Sequence, residues 1–492
     1  MTSITICSVP RTNESIPNAA LGTLKSSLNA KNLTCHTIDT NVELYAHLID
    51  DYHEAYKNLD QYFQADLRYI TQENFNIDNF LHQRFFLPPE TLDVYNEFLL
   101  SHAKKIINYN TEWVGISLLS VNSIVACIDL CQMLTDCKIV LGGPGVSTFG
   151  IMGKANFGQF MIDCNLADGY IAGEGEDALV TLLQTGKFNH SLKQIKDLNA
   201  LPIPDYSDLN FDLYSSKKRT LYITGSRGCV RNCTFCDIRS AWKKYTFRSG
   251  ANIANEIITQ YKKHQCTEFY FTDSLINGNL KTFSDLLDAL IKAKQDNILP
   301  ENLNWIGQFI CRPKSQFKED WYKRMKLAGL KQLHIGIESG SENVLRNMGK
   351  KLAMSDIDFT MEMLLKYKIQ CDMLMIVGYP TEHERDFQLT VDMIHRYKKY
   401  NDAGVISGIN LGKTMVILPG SPIEQNKMQW GIDYDDNDNW VSTYNSSLTF
   451  SERIKRRIYL HKLCQDIGYV IRWPITTLTT LHQTMNKNKV TA

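Results

Sequence analysis

Short apolar runs alternate with helical patterns along most of the chain, and this alternation limits the fold more than any other feature. The first series comprises SITIC (Ser3–Cys7), LTCHTI (Leu33–Ile38), EWVGISL (Glu112–Leu118), CKIVLGG (Cys137–Gly143) and GYIAG (Gly169–Gly173), each closed by a polar or Gly-rich turn. Runs spaced in this way predict parallel strands with crossover helices, a doubly wound, Rossmann-like α/β arrangement. Between the second and third runs, Asn41–Asn110 is rich in Tyr, Phe, Leu and charge and reads as a helical insertion. LPIPDYSDL (Leu201–Leu209) holds two prolines and several turn formers, which marks a boundary. A second series follows: LYIT (Leu221–Thr224), EFYFTD (Glu268–Asp273), NWIGQFI (Asn304–Ile310), LHIGIE (Leu333–Glu338), MLMIVG (Met373–Gly378) and KTMVIL (Lys413–Leu418). In the intervening TFSDLLDALIKA, Phe283, Leu286, Leu287 and Leu290 fall on one helix face. Such a run of β/α units predicts a barrel-like array whose strand ends converge on one mouth. Beyond Gln425 the chain reads as a mainly helical tail. Its segment Ser451–Val470 carries Arg453, Lys455, Arg456, Arg457 and Lys462, expected as a solvated helix face.

Composition narrows the function classes. Lys plus Arg number 53 and Asp plus Glu number 53 in 492 residues, so no basic excess favours nucleic acid. The 43% hydrophobic share and mean hydropathy of −0.25 fit an ordinary globular protein rather than a disordered one. The longest apolar stretch, Val114–Cys131, is interrupted by Ser117, Ser120, Asn122, Ser123 and Asp129, too polar for a spanning helix. The start MTSITICSVPRTNES lacks a basic region followed by an apolar run, so a cytoplasmic location is expected. In a reducing compartment thirteen cysteines do not imply disulfides, and clustered thiols point to metal.

The clustering occurs in TGSRGCVRNCTFCDI, where Cys229, Cys233 and Cys236 have the spacing C-x3-C-x2-C directly after the first strand of the second series. Gly228 supplies loop flexibility, and Arg227 and Arg231 are expected to favour thiolates. Three soft ligands leave zinc or an iron-sulfur cluster open. The next candidate zinc ligands, His264 and Cys266, lie across a predicted helix. A [4Fe-4S] cluster held by three cysteines keeps one iron open for chemistry.

Here the chain resembles the radical S-adenosylmethionine (SAM) superfamily over Thr220–Ile423, with a partial (β/α)6 TIM-like barrel. The resemblance implies that the open iron chelates SAM and that an electron from the reduced cluster cleaves it to methionine and a 5'-deoxyadenosyl radical. An external donor of flavodoxin or ferredoxin type would supply the electron. It further implies SAM contacts from Phe235 beside the third cysteine, Asp273, and Glu338, Ser339 and Ser341 in GIESGSEN. Asp273 stands in YFTDSLIN where the family has Gly-Gly-Glu, and a helix N-cap is an equal reading of it. VGYPTE (Val377–Glu382) and LPGSPI (Leu418–Ile423) resemble the fifth and sixth strand ends, where backbone approaches the cofactor.

The N-terminal half resembles the cobalamin-binding (B12) domain of a radical SAM subgroup, through GISLLS (Gly115–Ser120), VLGGPGVS (Val140–Ser147) and GYIAGEGEDALVTLL (Gly169–Leu183). This implies cobalamin contacts from Ser117, Ser120, Gly142, Gly143, Ser147, Gly173 and Gly175. The D-x-H-x-x-G signature is missing. His53 in DYHEAY (Asp51–Tyr56) reads as a surface helix residue. The resulting division is 1–195 B12-binding-like with the insertion at about 41–110, 196–215 linker, 216–425 radical SAM core and 426–492 C-terminal extension. The expected activity is cobalamin-dependent C-methylation of a small molecule. Its alternatives are a radical rearrangement or oxidative cyclisation without functional cobalamin, and a zinc-stabilised module contacting nucleic acid. A methylthiotransferase would need three further cluster cysteines in its N-terminal domain. Cys127 and Cys131 read instead as core residues. Asp433–Trp440 lacks the glycine and glutamate of a calcium loop. No residue stands out as catalytic, and no motif identifies the substrate.

Overall fold

β1 (Ser3–Ser8) is buried at every position from Ile4 onward because strands flank it on both sides and helices cover its faces. The structure is a computed structural model that describes residues 2–63, 87–147, 156–188, 194–412, 414–436 and 439–472. The chain divides into two compact units, Met1–Tyr222 with Thr259–Glu268, and Ile223–Ile258 with Phe269–Ala492.

In the first unit β1 pairs in parallel with β2 (Thr34–Asp39) and β3 (Trp113–Ser117). β4 (Lys138–Gly142) and β5 (Gly169–Tyr170) extend the sheet in the order β2-β1-β3-β4-β5. The chain reverses its direction of growth at β1, which opens a crevice at the C-terminal ends of β1 and β3. The expected insertion forms the helices Thr40–Leu48, His53–Phe63 and Pro89–Asn108, and its residues 64–86 lie outside the described set. The last helix starts with proline and buries Tyr95, Phe98, Leu99, His102 and Ile106 along one stripe. Tyr62 and Tyr95 both donate to buried Asp129, fastening the insertion to the helix Ile124–Met133. Cys127 and Cys131 are buried in the same core, and His53 is exposed.

The second unit carries a six-stranded sheet in the order β13-β12-β11-β10-β9-β6. Its members are β6 (Thr220–Ile223), β9 (Glu268–Phe271), β10 (Asn304–Phe309), β11 (Leu330–Glu338), β12 (Gln370–Met375) and β13 (Ile406–Asn410). Each successive strand joins on the same side, so the sheet winds in one direction as a partial barrel does. Between β6 and β9 a small antiparallel ribbon, β7 (Ser226–Arg227) with β8 (Thr246–Phe247), closes the base of the cysteine loop. The helix Leu280–Gln295 buries Phe283, Leu286, Leu287 and Leu290, as its pattern predicts. The outer edge of β13 is covered by residues 470–472, with Ile409 N–H donating to Val470 O (2.8 Å) and Arg472 N–H to Ile409 O (3.1 Å). A hairpin, β14 (Ile432–Tyr434) with β15 (Trp440–Ser442), and the helix Phe450–Asp466 complete the unit. No described helix is long and apolar enough to cross a membrane.

Two expectations are corrected. The sixth strand is Ile406–Asn410, not KTMVIL, among whose described residues only Thr414 makes an isolated bridge, to Val377. Gly404, left-handed at φ +72°, ends the preceding helix and turns the chain straight into Val405 and Ile406, so the strand starts earlier. The C-terminal helix does not present a uniformly solvated basic face. Lys455 and Lys462 are exposed, but Arg453, Arg456 and Arg457 are buried.

Candidate functional site

The cysteine loop runs from Gly228 to Tyr245 between β7 and β8. Gly228 is left-handed (φ +81°), and a Cβ there would stand 2.9 Å from Lys244 O, so the turn into Cys229 requires glycine. Cys229, Cys233 and Cys236 are half-buried. The backbone N–H of Arg231 lies 3.4 Å from Cys229 Sγ, and Cys236 also receives a backbone hydrogen bond, from Ile238. Thr234 anchors the loop. Its N–H donates to Met348 O (3.0 Å), its carbonyl accepts from Ile423 N–H (2.9 Å) and its hydroxyl meets Tyr379 Oη (2.8 Å). Tyr379 in turn donates to Asn347 O (3.0 Å). Segments following β11, β12 and β13 therefore grip one loop residue. This is the structural use of VGYPTE and LPGSPI.

Burial pushes the Cys233 thiol up to about 11, with Lys350 acting against it, and raises Cys236 as well. The cation acting on Cys233 is thus Lys350, where sequence pointed to Arg227 and Arg231. Thiols with backbone N–H donors and a nearby ammonium suit an anionic cluster, whose assembly deprotonates them. Among the described residues no three His, Cys, Asp or Glu side chains form a single-ion site.

At the end of β11, Glu338 is left-handed (φ +68°), and its Oε1 lies 2.9 Å from Lys350 Nζ; both side chains are at most 10% exposed. A Cβ at Gly336 would stand 2.5 Å from Glu338 Oε1 and 2.8 Å from Lys350 Nζ, so Gly336 makes the space for the pair. Burial favours a neutral Lys350, but Glu338 and then Cys233 outweigh it and raise the lysine. Ser339 and Ser341 are fully buried. Ser341 caps the helix Glu342–Asn347 through Val344 N–H and donates to Asp386 (2.5 Å), while the Ser339 hydroxyl meets Thr390 (3.3 Å). Their oxygens shape the turn that carries Glu338. Asp273 is buried and accepts from Gly225 N–H (2.8 Å) and Ser226 Oγ (2.5 Å). Burial pushes it up to about 6 against these bonds. It does not cap the following helix, because Asn279 does. Phe235 is half-buried beside Cys236. Sequence reasoning gave no role to Lys350, Thr234 or Tyr379, although Thr234 and Tyr379 lie inside the quoted cysteine-loop and VGYPTE strings and Lys350 follows the helix-ending Gly349.

In the first unit the predicted cobalamin residues lie at strand ends. Ser117 closes β3 and is buried, and Ser120 bonds Asn122 N–H (3.3 Å). Gly142 closes β4, and among the described residues no atom lies within 4 Å of where its Cβ would stand. Gly143 is left-handed (φ +94°), with Leu118 O only 2.4 Å from its notional Cβ. Open space at Gly142 and a forced glycine at Gly143 fit a cradle for a large flat ligand. Ser147 ends a short helix, and its side chain lies outside the described set. Gly173 is left-handed (φ +86°) and Gly175 begins the helix Gly175–Thr185. A separate cavity of about 230 Å³ at the end of β1 is lined by Arg11, Thr12, Asn41, Tyr45, Tyr56 and Asp60, among others, and by none of the predicted residues.

Residues 223–394 match the radical SAM superfamily. An uncharacterized methyltransferase PH0819 of Pyrococcus horikoshii is 24% identical over 275 residues, 51% of this chain and 56% of that protein. The chain spans about half the length of the curated relatives it matches. Among solved structures, the radical SAM methyltransferase TsrM from Kitasatospora setae, with cobalamin and a [4Fe-4S] cluster bound, superposes with a TM-score of 0.64 at 13% identity. That match covers 95% of this chain and 88% of TsrM. The cobalamin-dependent radical SAM enzyme OxsB, with aqua-cobalamin and SAM bound, gives 0.64 at 14% identity over 95% of this chain and 67% of OxsB.

Proposed function

We propose, for a chain that belongs to the radical SAM superfamily and has the fold of two of its cobalamin-dependent members, that it methylates carbon in a small molecule. The observation that carries this reading is the cysteine loop, three half-buried thiols gripped through Thr234 next to the Glu338–Lys350 pair. Bound in such a chain, cluster and SAM supply a 5'-deoxyadenosyl radical, and cobalamin supplies the methyl group.

The chain's own residues orient and shield. Cys229, Cys233 and Cys236 would hold the cluster and leave one iron open. Lys350 offsets thiolate charge, and Glu338, held by Lys350 at the mouth, offers carboxylate oxygen to hydroxyl or ammonium groups of SAM. Phe235 offers a ring face beside the third cysteine. Asp273 holds the backbone at Gly225 and Ser226, so its part is to position the strand entering the loop. Ser117, Ser120, Gly142, Gly143, Ser147, Gly173 and Gly175 would line the cobalamin crevice in a domain spanning 1–195, ahead of a radical core at 216–425. A flavodoxin- or ferredoxin-type protein would deliver the electron.

The test is anaerobic incubation of the reconstituted full chain with SAM, reductant, cobalamin and metabolite extract. The expected products are 5'-deoxyadenosine and a metabolite heavier by one methylene. A visible spectrum with only iron-sulfur bands after cobalamin loading would leave a radical enzyme without cobalamin. Zinc in place of iron, lost in Cys233→Ala, would refute the radical reading altogether.

A further inference from the structure

The helix Phe450–Asp466 buries three arginines, and they differ in what answers their charge. Arg456, 5% exposed, is matched by Glu382 (3.0 Å), Glu384 (2.9 Å) and Glu452 (3.3 Å). Arg453 donates to Leu448 O (3.2 Å) and lies 3.6 Å over the Trp440 ring. Arg457 is 0% exposed, and among the described residues only its Nε is engaged, donating to Gly412 O (2.9 Å). Its Nη1 and Nη2 are enclosed and have no hydrogen-bond partner among the described residues. One turn further on, His461 is 2% exposed, and its Nδ1 is also without a partner.

A guanidinium remains charged at neutral pH, and burial pulls Arg457 down only to about 10. Buried guanidinium nitrogens are rarely left without a partner, because an unanswered enclosed charge is costly. The location of Arg457 says what kind of group answers it. Gly412 lies two residues beyond β13, and the Arg453 stem packs against Gly378, just past β12, where a Cβ would stand 2.6 Å from Arg453 Cγ. The helix therefore delivers its buried arginines to the C-terminal ends of the last two strands, the end at which parallel α/β arrays bind ligands.

We propose that Arg457, with His461 beside it, forms an anion subsite at the mouth of the second unit, and that the substrate carries a carboxylate or phosphate there. Two parallel N–H donors match the paired oxygens of either group. This substrate class rests on the enzymatic reading above.

The experiment follows thermal unfolding of the reconstituted full chain at constant ionic strength in chloride, with inorganic phosphate, malonate or SAM added. Wild-type Tm should rise with phosphate or malonate, because an anion bound only to the folded state stabilises it by mass action. Malonate acting without phosphate identifies a carboxylate site, and the reverse a phosphate site. Arg457→Met should have a higher Tm than wild type in chloride and show no anion response, since an unpaired buried charge is gone. Arg457→Lys keeps charge but not the fork, so its half-saturating anion concentration should rise about tenfold. It also serves if the methionine variant does not fold. An equal anion response in wild type and variants would overturn the proposal, as would no response in wild type. A response to SAM alone, lost in Arg457→Met, would assign the fork to the SAM carboxylate and overturn the substrate class. Iron content and 5'-deoxyadenosine are measured on the same preparation. Their absence alongside a surviving anion response would sink the enzymatic reading and leave the subsite standing.

Discussion

Replacing Lys350 by methionine removes one partner of a buried ion pair whose atoms lie 2.9 Å apart, with side chains 7% and 10% exposed. The methylene volume is largely kept, so the loss is electrostatic. Glu338 would be left charged and enclosed, and stranding one member of a buried pair costs about 3–5 kcal/mol. Glu338 also occupies left-handed backbone (φ +68°), which itself costs about 1–2 kcal/mol and tolerates little further loss. Glu338→Gln in the Lys350→Met background removes the stranded charge, so the double variant should regain most of the stability. Urea unfolding of the cluster-free chain, with wild type, both single variants and the double, measures this as a coupling of about 3 kcal/mol or more. Additive costs, or a Lys350→Met penalty under about 1 kcal/mol, would refute the view that the two charges depend on each other. Iron retained per chain after gel filtration gives an independent readout, because Lys350 acts on Cys233; it should fall in Lys350→Met.

Three other outcomes are expected. Tyr379→Phe loses the hydrogen bonds to Thr234 and Asn347 and should cost about 1–3 kcal/mol, with cluster release in a chelator challenge faster than in wild type; unchanged release would refute the grip on the loop. Gly143→Ala forces a Cβ to 2.4 Å from Leu118 O at φ +94° and should destabilise the first unit by about 1–3 kcal/mol or more, read by thermal unfolding. Asp273 has a pKa raised by burial from 3.8 to about 6, so the folded state holds its proton more tightly than the unfolded chain does. The stability this gives is complete below about pH 4 and is lost as pH rises through 6, a change of about 3 kcal/mol. Asp273→Asn should remove that fall between pH 4 and 7, and an unaltered pH profile of unfolding would contradict it.

The strands and the cysteine loop were legible because both are written locally. Apolar periodicity over five or six residues is enough to mark β1 to β4 and β9 to β12, and three thiols within eight residues need no distant partner to meet. The sixth strand shows where local reading fails. Ile406–Asn410 and KTMVIL both suit a strand, and the helix end at Gly404 together with pairing to β12 chose between them.

Sequence by itself determined two α/β series and the triad Cys229, Cys233 and Cys236. Tertiary structure alone decided which charges are buried and what they face. Thr234 and Tyr379 are 145 residues apart in the chain yet share a hydrogen bond, and Lys350 acts on Cys233 from just beyond the helix Glu342–Asn347. Arg457 reads in sequence as one of five interchangeable cations on a helix, but packing encloses it while leaving Lys455 and Lys462 in solvent. The physical reason is that backbone periodicity is set by neighbours along the chain. The solvation and pairing of a charge are set by groups that only folding brings within a few ångströms.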